Sequence, residues 1–175
     1  MKVIFLDIDG VMNSVKSEML AAEEEGLSEF AYFCDNPHPI HTKPLNRIIK
    51  ETGARIVISS TWRHSFSVIG LWRLLYAGGL RNSHVIDMTP TLNGQPRGEE
   101  IQAWLDMQQK RVDGYEDEKS WMYNPDFTEP VESFVILDDD ADMTHLSEFL
   151  VHTDGQVGLT EEDADKAIAI LNSGE

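Results

Sequence analysis

Four consecutive apolar residues, Val3-Ile4-Phe5-Leu6, stop abruptly at Asp7. A short apolar run without alternation is the pattern of a strand covered on both faces, as in a parallel sheet. Arg55–Ile58, Val85–Met88 and Ser133–Leu137 repeat it, and Phe149–His152 reads as a fifth strand. Between these runs the apolar spacing changes to that of helices. Ser14–Glu25 reads as a helix stopping near Gly26, and Pro44–Thr52 as one with proline near its first position and Gly53 as its stop. Leu45, Ile48 and Ile49 share a face of the latter. Ser65–Tyr76 is an apolar helix closed by Gly78-Gly79, and Arg97 opens a helix to about Met107 with Ile101, Trp104 and Leu105 inward. Thr160 caps a last helix, Glu161–Leu171, whose first-turn acids suit the helix dipole. Phe33–Lys43 and Thr89–Pro96 read as loops, and Gln108–Val131 as an irregular insertion or substrate-covering loop. Strands alternating with helices predict an α/β domain with a mainly parallel sheet.

At 175 residues the chain suits a single domain, 1–175, with small cap or flap insertions at 14–43 and 108–131. Hydrophobic residues at 41% and charged residues at 26% exclude a disordered or fibrous chain. No apolar run approaches the length of a membrane span, and Asp7 interrupts the N-terminal apolar run before a secretory core can form. The single cysteine, Cys34, has no internal partner, so a cytoplasmic setting is expected. The net charge of −17 is unevenly placed. Residues 1–98 hold ten acids and ten Lys/Arg, whereas residues 99–175 hold twenty-one acids and four Lys/Arg. Such a body repels a nucleic-acid backbone at long range, so no stable nucleic-acid complex is expected. A nucleic-acid end would have to approach the N-terminal half.

Four polar motifs sit where the apolar runs end. Asp7-Ile8-Asp9-Gly10 places two carboxylates beyond the first strand, at the edge where open parallel sheets build sites. One carboxylate can attack while the other acts as acid and base. Asp138-Asp139-Asp140-Ala141-Asp142 follows the fourth strand. Acids so crowded repel one another unless a cation sits among them, and hard oxygen donors suit Mg²⁺. Ser59-Ser60-Thr61 follows the second strand and offers hydroxyl and backbone N–H groups to a phosphate, or simply caps the next helix. Arg97 opens a helix and can neutralise a transferring phosphoryl group, or pair on the surface with Glu99 or Glu100.

In this order, strand–DxDG, strand–SS, arginine-started helix and strand–DDD, the chain resembles the haloacid dehalogenase (HAD) superfamily of phosphohydrolases. Ile56–Arg63 (IVISSTWR), Arg97–Ile101 (RGEEI) and Gly158-Leu159-Thr160 resemble the HAD domain of Swiss Army Knife RNA-repair and polynucleotide kinase–phosphatase proteins. The resemblance implies a three-layer Rossmann-like (HAD-like) fold with a small or absent cap. It implies a Mg²⁺-dependent phosphatase hydrolysing a phosphomonoester through an aspartyl-phosphate. Asp7 would be the nucleophile and Asp9 the general acid and base. Asp7, the Asp9 backbone carbonyl and Asp138 or Asp139 would hold Mg²⁺. Ser59, with Ser60 second, and Arg97 would bind the phosphoryl oxygens, although many members carry lysine where Arg97 stands. The acidic motif fits either a DD pair, Asp138-Asp139, or a wider Asp138–Asp142 spacing. The implied substrate is a phosphorylated small molecule, a nucleotide or a nucleic-acid end.

Two other classes share some of these features. A Toprim-like metal-dependent nuclease also uses acids after parallel strands, but it places a glutamate where Asp7 and Asp9 stand. An inactive acidic HAD-like binding domain would not require every catalytic position to be filled. Trp62 and Arg63 read equally as a nucleotide clamp or as packing for the next helix. His38 and His41 read poorly as a zinc site. Trp121, Tyr123 and Phe127 read as a satellite cluster or a substrate cover.

Overall fold

The computed structural model describes residues 1–25, 37–81, 85–114 and 129–173. Among the described residues five parallel strands form one sheet: β1 (Lys2–Leu6), β2 (Arg55–Ile58), β3 (Val85–Met88), β4 (Ser133–Asp138) and β5 (Leu150–His152). Their order across the sheet is β3-β2-β1-β4-β5. The chain leaves β1 toward β2 on one side and returns to its other side as β4. This makes β1 the switch point, beside which open α/β sheets leave a crevice at the carboxyl ends.

The pleat sorts β1 onto two cores. Ile4 and Leu6 face a cluster with Ile56, Ile58, Leu45, Ile48, Leu71 and Leu75. Those residues come from β2, from α2 (Pro39–Thr52) and from α3 (Val68–Ala77). The C-terminal helix α5 (Glu161–Asn172) adds Ala164, Ala167 and Leu171 to the same side. Val3 and Phe5 face the other cluster, with Trp104 and Ile101 of α4 (Arg97–Gly114). Phe5 meets Trp104 edge to face at 5.4 Å between centroids. Both faces of the sheet are therefore covered, which explains why the strands carry unbroken apolar runs. α1 (Val15–Glu25) follows the β1 loop.

The strands lie where the apolar runs place them, and several helix limits differ. α2 begins at Pro39, not Pro44, so 39–43 is helical and not loop. Pro39 takes the first turn, where no N–H is needed, and the His38 side chain accepts from the Ile40 N–H at 3.2 Å. The third helix, expected from Ser65, starts at Val68, capped by Ser67, and a short 3-10 turn, Thr61–His64, precedes it. α4 continues past Met107 to Gly114, absorbing the first part of the expected 108–131 insertion. The expected stop at Gly26, Cys34, and the aromatics Trp121, Tyr123 and Phe127 lie outside the described residues. Among the described residues, no helix is long and apolar enough to cross a membrane.

Candidate active site

Strand register brings the site together. Leu6 lies beside Ile58 on one flank and Leu137 on the other. The next residue of each strand, Asp7, Ser59 and Asp138, therefore stands on one row. The ladder extends into that row: Asp7 N–H donates to the Leu137 carbonyl at 3.0 Å, and Ser59 N–H to the Leu6 carbonyl at 2.9 Å. All three residues are buried. Beyond them Gly10 turns with φ +72°, and a Cβ there would overlap the Asp139 carboxylate. Only glycine fits, which gives the DxDG motif its final letter.

Carboxylate oxygens of Asp7, Asp138 and Asp139 lie within 4.8 Å of one another. Burial, reinforced by the charge of Asp7, pushes the Asp138 pKa up to about 7. The same two causes raise Asp139. Arg97 answers part of this repulsion. Its Nη1 is 3.1 Å from Asp7 Oδ2 and 3.3 Å from Asp138 Oδ2, and it donates to the Ser59 carbonyl at 2.7 Å. Burial works against the guanidinium charge, but these carboxylates outweigh it and its pKa is raised. Arg97 thus points into the site and is not the surface partner of Glu99 or Glu100.

The remaining acids separate by role. The Asp140 N–H donates to Asp138 Oδ1 at 2.9 Å, orienting it, while its own side chain is exposed. Asp142 Oδ2 accepts from the Arg97 N–H at 3.1 Å, so it caps α4. The structure therefore brings Asp138 and Asp139 together with Asp7, and leaves Asp142 at a helix end. The three grouped acids form a hard oxygen donor set, and among the described residues buried Asp138 Oδ2 has the ion pair with Arg97 but no hydrogen bond. That donor set fits a divalent cation of the Mg²⁺ type.

Asp9 stands apart from this group. Its carboxylate is exposed, and Oδ2 accepts from Trp62 Nε1 at 2.8 Å. The Trp62 ring is stacked on Phe66, 5.6 Å between centroids with planes 25° apart. The two serines also divide. Ser60 Oγ accepts from the Trp62 N–H at 3.3 Å and caps the 3-10 turn. Ser59 Oγ is buried at the site and has no hydrogen-bond partner among the described residues.

Two features of the site were not visible in the residue spacing. Arg63 donates to the Ser59 and Ser60 carbonyls at 2.7 and 2.8 Å and pairs with buried Glu100, whose other oxygen accepts from the Leu92 N–H at 2.9 Å. Arg63 is therefore a brace for the serine loop. Thr153 donates to the Gly10 carbonyl at 3.0 Å, tying the end of β5 to the β1 turn. The His38–His41 pair is not a metal site: the ring nitrogens of His41 are bonded to Ser14 Oγ at 2.8 Å and the Leu159 carbonyl at 3.1 Å.

The model of one family, described as the HAD domain in Swiss Army Knife RNA repair proteins, matches residues 3–164. The chain belongs to this family. No curated protein and no solved structure matches it. Membership spans both the β1 turn and the acidic motif, and it accords with the five-stranded parallel sheet. At family level this is a HAD-type phosphatase domain, and the family generally uses Mg²⁺ at a buried acidic cluster of the kind seen here.

Proposed function

We propose that this HAD domain is a phosphomonoesterase that works through a phosphoenzyme on Asp7. The observation that carries the reading is the contrast between two carboxylates two residues apart. Asp7 is buried beside Arg97, whose charge would neutralise an anionic phosphoryl group. Asp9 is exposed on a separate hydrogen bond, where it can exchange protons with a leaving group or water. Environments that differ this way divide nucleophilic from acid–base duty.

In the first step an Asp7 oxygen forms a bond to phosphorus as the ester P–O bond breaks, and Asp9 donates a proton to the leaving oxygen. In the second, Asp9 takes a proton from water, the water oxygen bonds to phosphorus, and the bond to Asp7 breaks to release phosphate. Arg97 and Ser59 hold the equatorial oxygens. Asp7, Asp138 and Asp139, with the Asp9 carbonyl, would hold Mg²⁺, which when bound supplies charge neutralisation between carboxylate and phosphate. The substrate is a nucleotide or a nucleic-acid end, a class supported by the family's RNA-repair description and by the exposure of Asp9. A cytoplasmic setting accords with the single cysteine.

The test is phosphate release with and without Mg²⁺ from aryl phosphate, nucleoside monophosphates, sugar phosphates and oligonucleotides ending in 3′- or 5′-phosphate. Release that needs both Mg²⁺ and Asp7 is expected, and mass spectrometry of rapidly quenched protein should find phosphate on Asp7. Undiminished turnover by Asp7→Asn refutes the assignment.

A further inference from the structure

α3 is apolar on both sides. Leu71 and Leu75 point into the core and are fully buried. On the opposite side Ile69 is 63% exposed, Trp72 37% and Tyr76 49%. Positions 69, 72, 73 and 76 share one helical face. A surface helix normally turns polar residues outward, so an outward aromatic face points to a partner. Trp72 and Tyr76 are stacked at 5.3 Å, and the Arg81 guanidinium lies 4.4 Å over the Tyr76 ring. Exposed Arg73 sits on the same face.

The charge of this region is the reverse of the molecule's. The chain has 31 acids, yet none lies between Glu51 and Asp87, a stretch with four arginines. Arg55 and Arg63 are committed to Glu129 and Glu100. Arg73 and Arg81 have no acid paired with them among the described residues and accompany the exposed rings, Arg81 through an Nη1 that donates to the Tyr76 and Leu80 carbonyls at 2.6 and 2.8 Å. Flat rings interleaved with arginine are the chemistry of single-stranded nucleic-acid surfaces, where bases stack and phosphates meet guanidinium groups. The face also begins at the site. Trp62, which touches Asp9, is stacked on 42%-exposed Phe66, and Phe66 leads into α3.

We propose that the outer face of α3 is a stacking track for single-stranded nucleic acid, whose phosphorylated end reaches Asp7 past Trp62 and Phe66. The proposal rests on the phosphatase reading for the direction of the strand and names its substrate as a polymer instead of a mononucleotide. Repulsion from the acidic half is screened beyond about 8 Å at physiological salt, so the track gives transient, salt-sensitive binding and no long-lived complex.

Binding is measured by fluorescence anisotropy with the 175-residue chain carrying Asp7→Asn and a short, labelled, single-stranded RNA with a terminal phosphate. Adding Trp72→Ala and Tyr76→Ala should weaken binding at least tenfold, and Arg73→Glu should weaken it and flatten its salt dependence. In the chain that keeps Asp7, Trp72→Ala/Tyr76→Ala should leave aryl phosphate turnover unchanged while raising KM for the phosphorylated RNA. Equal binding with and without the α3 substitutions overturns the proposal, as does no binding by the parent protein. A parent dimer that these substitutions convert to monomer also overturns it and makes the face a self-association surface. The anisotropy arm needs no turnover. A chain that binds RNA through α3 and releases no phosphate therefore refutes the phosphatase reading alone.

Discussion

Asp9 reaches solvent with one oxygen already held by an indole N–H. That bond orients the carboxylate, and Phe66 holds the indole by stacking. Trp62→Phe keeps a ring and removes the donor. If Asp9 is the general acid, the loss should depend on how much the leaving group needs a proton. We expect kcat for an alkyl phosphate to fall about tenfold, less than the 10²–10⁴ that a general acid contributes in full, because the Asp9 carboxylate itself remains. Turnover of a nitrophenyl phosphate, whose leaving group departs unprotonated, should change little. Equal losses on both substrates would place the effect of Trp62 outside leaving-group protonation, in the shared hydrolysis step, in binding or in the fold. Arg97 presents a second case. It is the cation between Asp7 and Asp138. Arg97→Ala should abolish turnover and, in chelator, destabilise the fold by about 3 kcal/mol, the scale of breaking a buried ion pair. Mg²⁺ should restore part of that stability, since it supplies charge to the same carboxylates. Calorimetry with and without Mg²⁺ reads this difference.

At the scale of elements, His41 ties three segments together: Ser14 at the start of α1, its own helix α2, and Leu159 before α5. A nitrogen facing a carbonyl must donate, so Nδ1 carries the proton toward Leu159 and Nε2 accepts from Ser14 Oγ. The protonated ring would lose that acceptor. Burial, with the nearby charges of His38 and Lys16, lowers the His41 pKa although the Leu159 bond raises it. A base with a lowered folded pKa stays neutral in the fold while the unfolded chain takes up a proton. Stability is therefore full above the ordinary histidine pKa of about 6.5 and declines as pH falls below it. His41→Gln should flatten that limb of a Tm-against-pH curve; an unchanged limb would assign it to other groups. The same element shows how far residue patterns carry. The buried strands, and hence Asp7, Ser59 and Asp138 on one row, follow from apolar runs and parallel register alone. The start of α2 does not, because Pro44 imitates a first-turn proline and the true start depends on the His38 side chain. The Trp62–Asp9 and Arg63–Glu100 contacts are likewise set by side-chain direction across loops, which sequence spacing does not encode. The split of the acidic motif follows the same rule: Asp138 continues the strand, whereas Asp142 meets the start of α4.

For the whole molecule, the charge of −17 and the three-carboxylate group make opposite demands of added salt and added metal. Monovalent salt screens the general repulsion and acts on all surface carboxylates alike. A divalent cation that binds Asp7, Asp138 and Asp139 acts at one place, and only in the folded chain, where register brings these residues together. Binding to the native state alone stabilises it by mass action, by about 2.7 kcal/mol at a hundredfold excess over Kd. For a chain of this size that corresponds to a Tm rise of roughly 5–10 °C. We expect Mg²⁺ to raise Tm by that order above NaCl matched for ionic strength. Asp139→Asn, at the half-buried rim of the group, should abolish most of the excess while leaving the NaCl response intact. A rise that NaCl reproduces, or one that Asp139→Asn retains in full, would mean that the acids gather at the strand ends without forming a cation site. The burial that raises Asp138 to about 7 would then have to be offset by Arg97 alone.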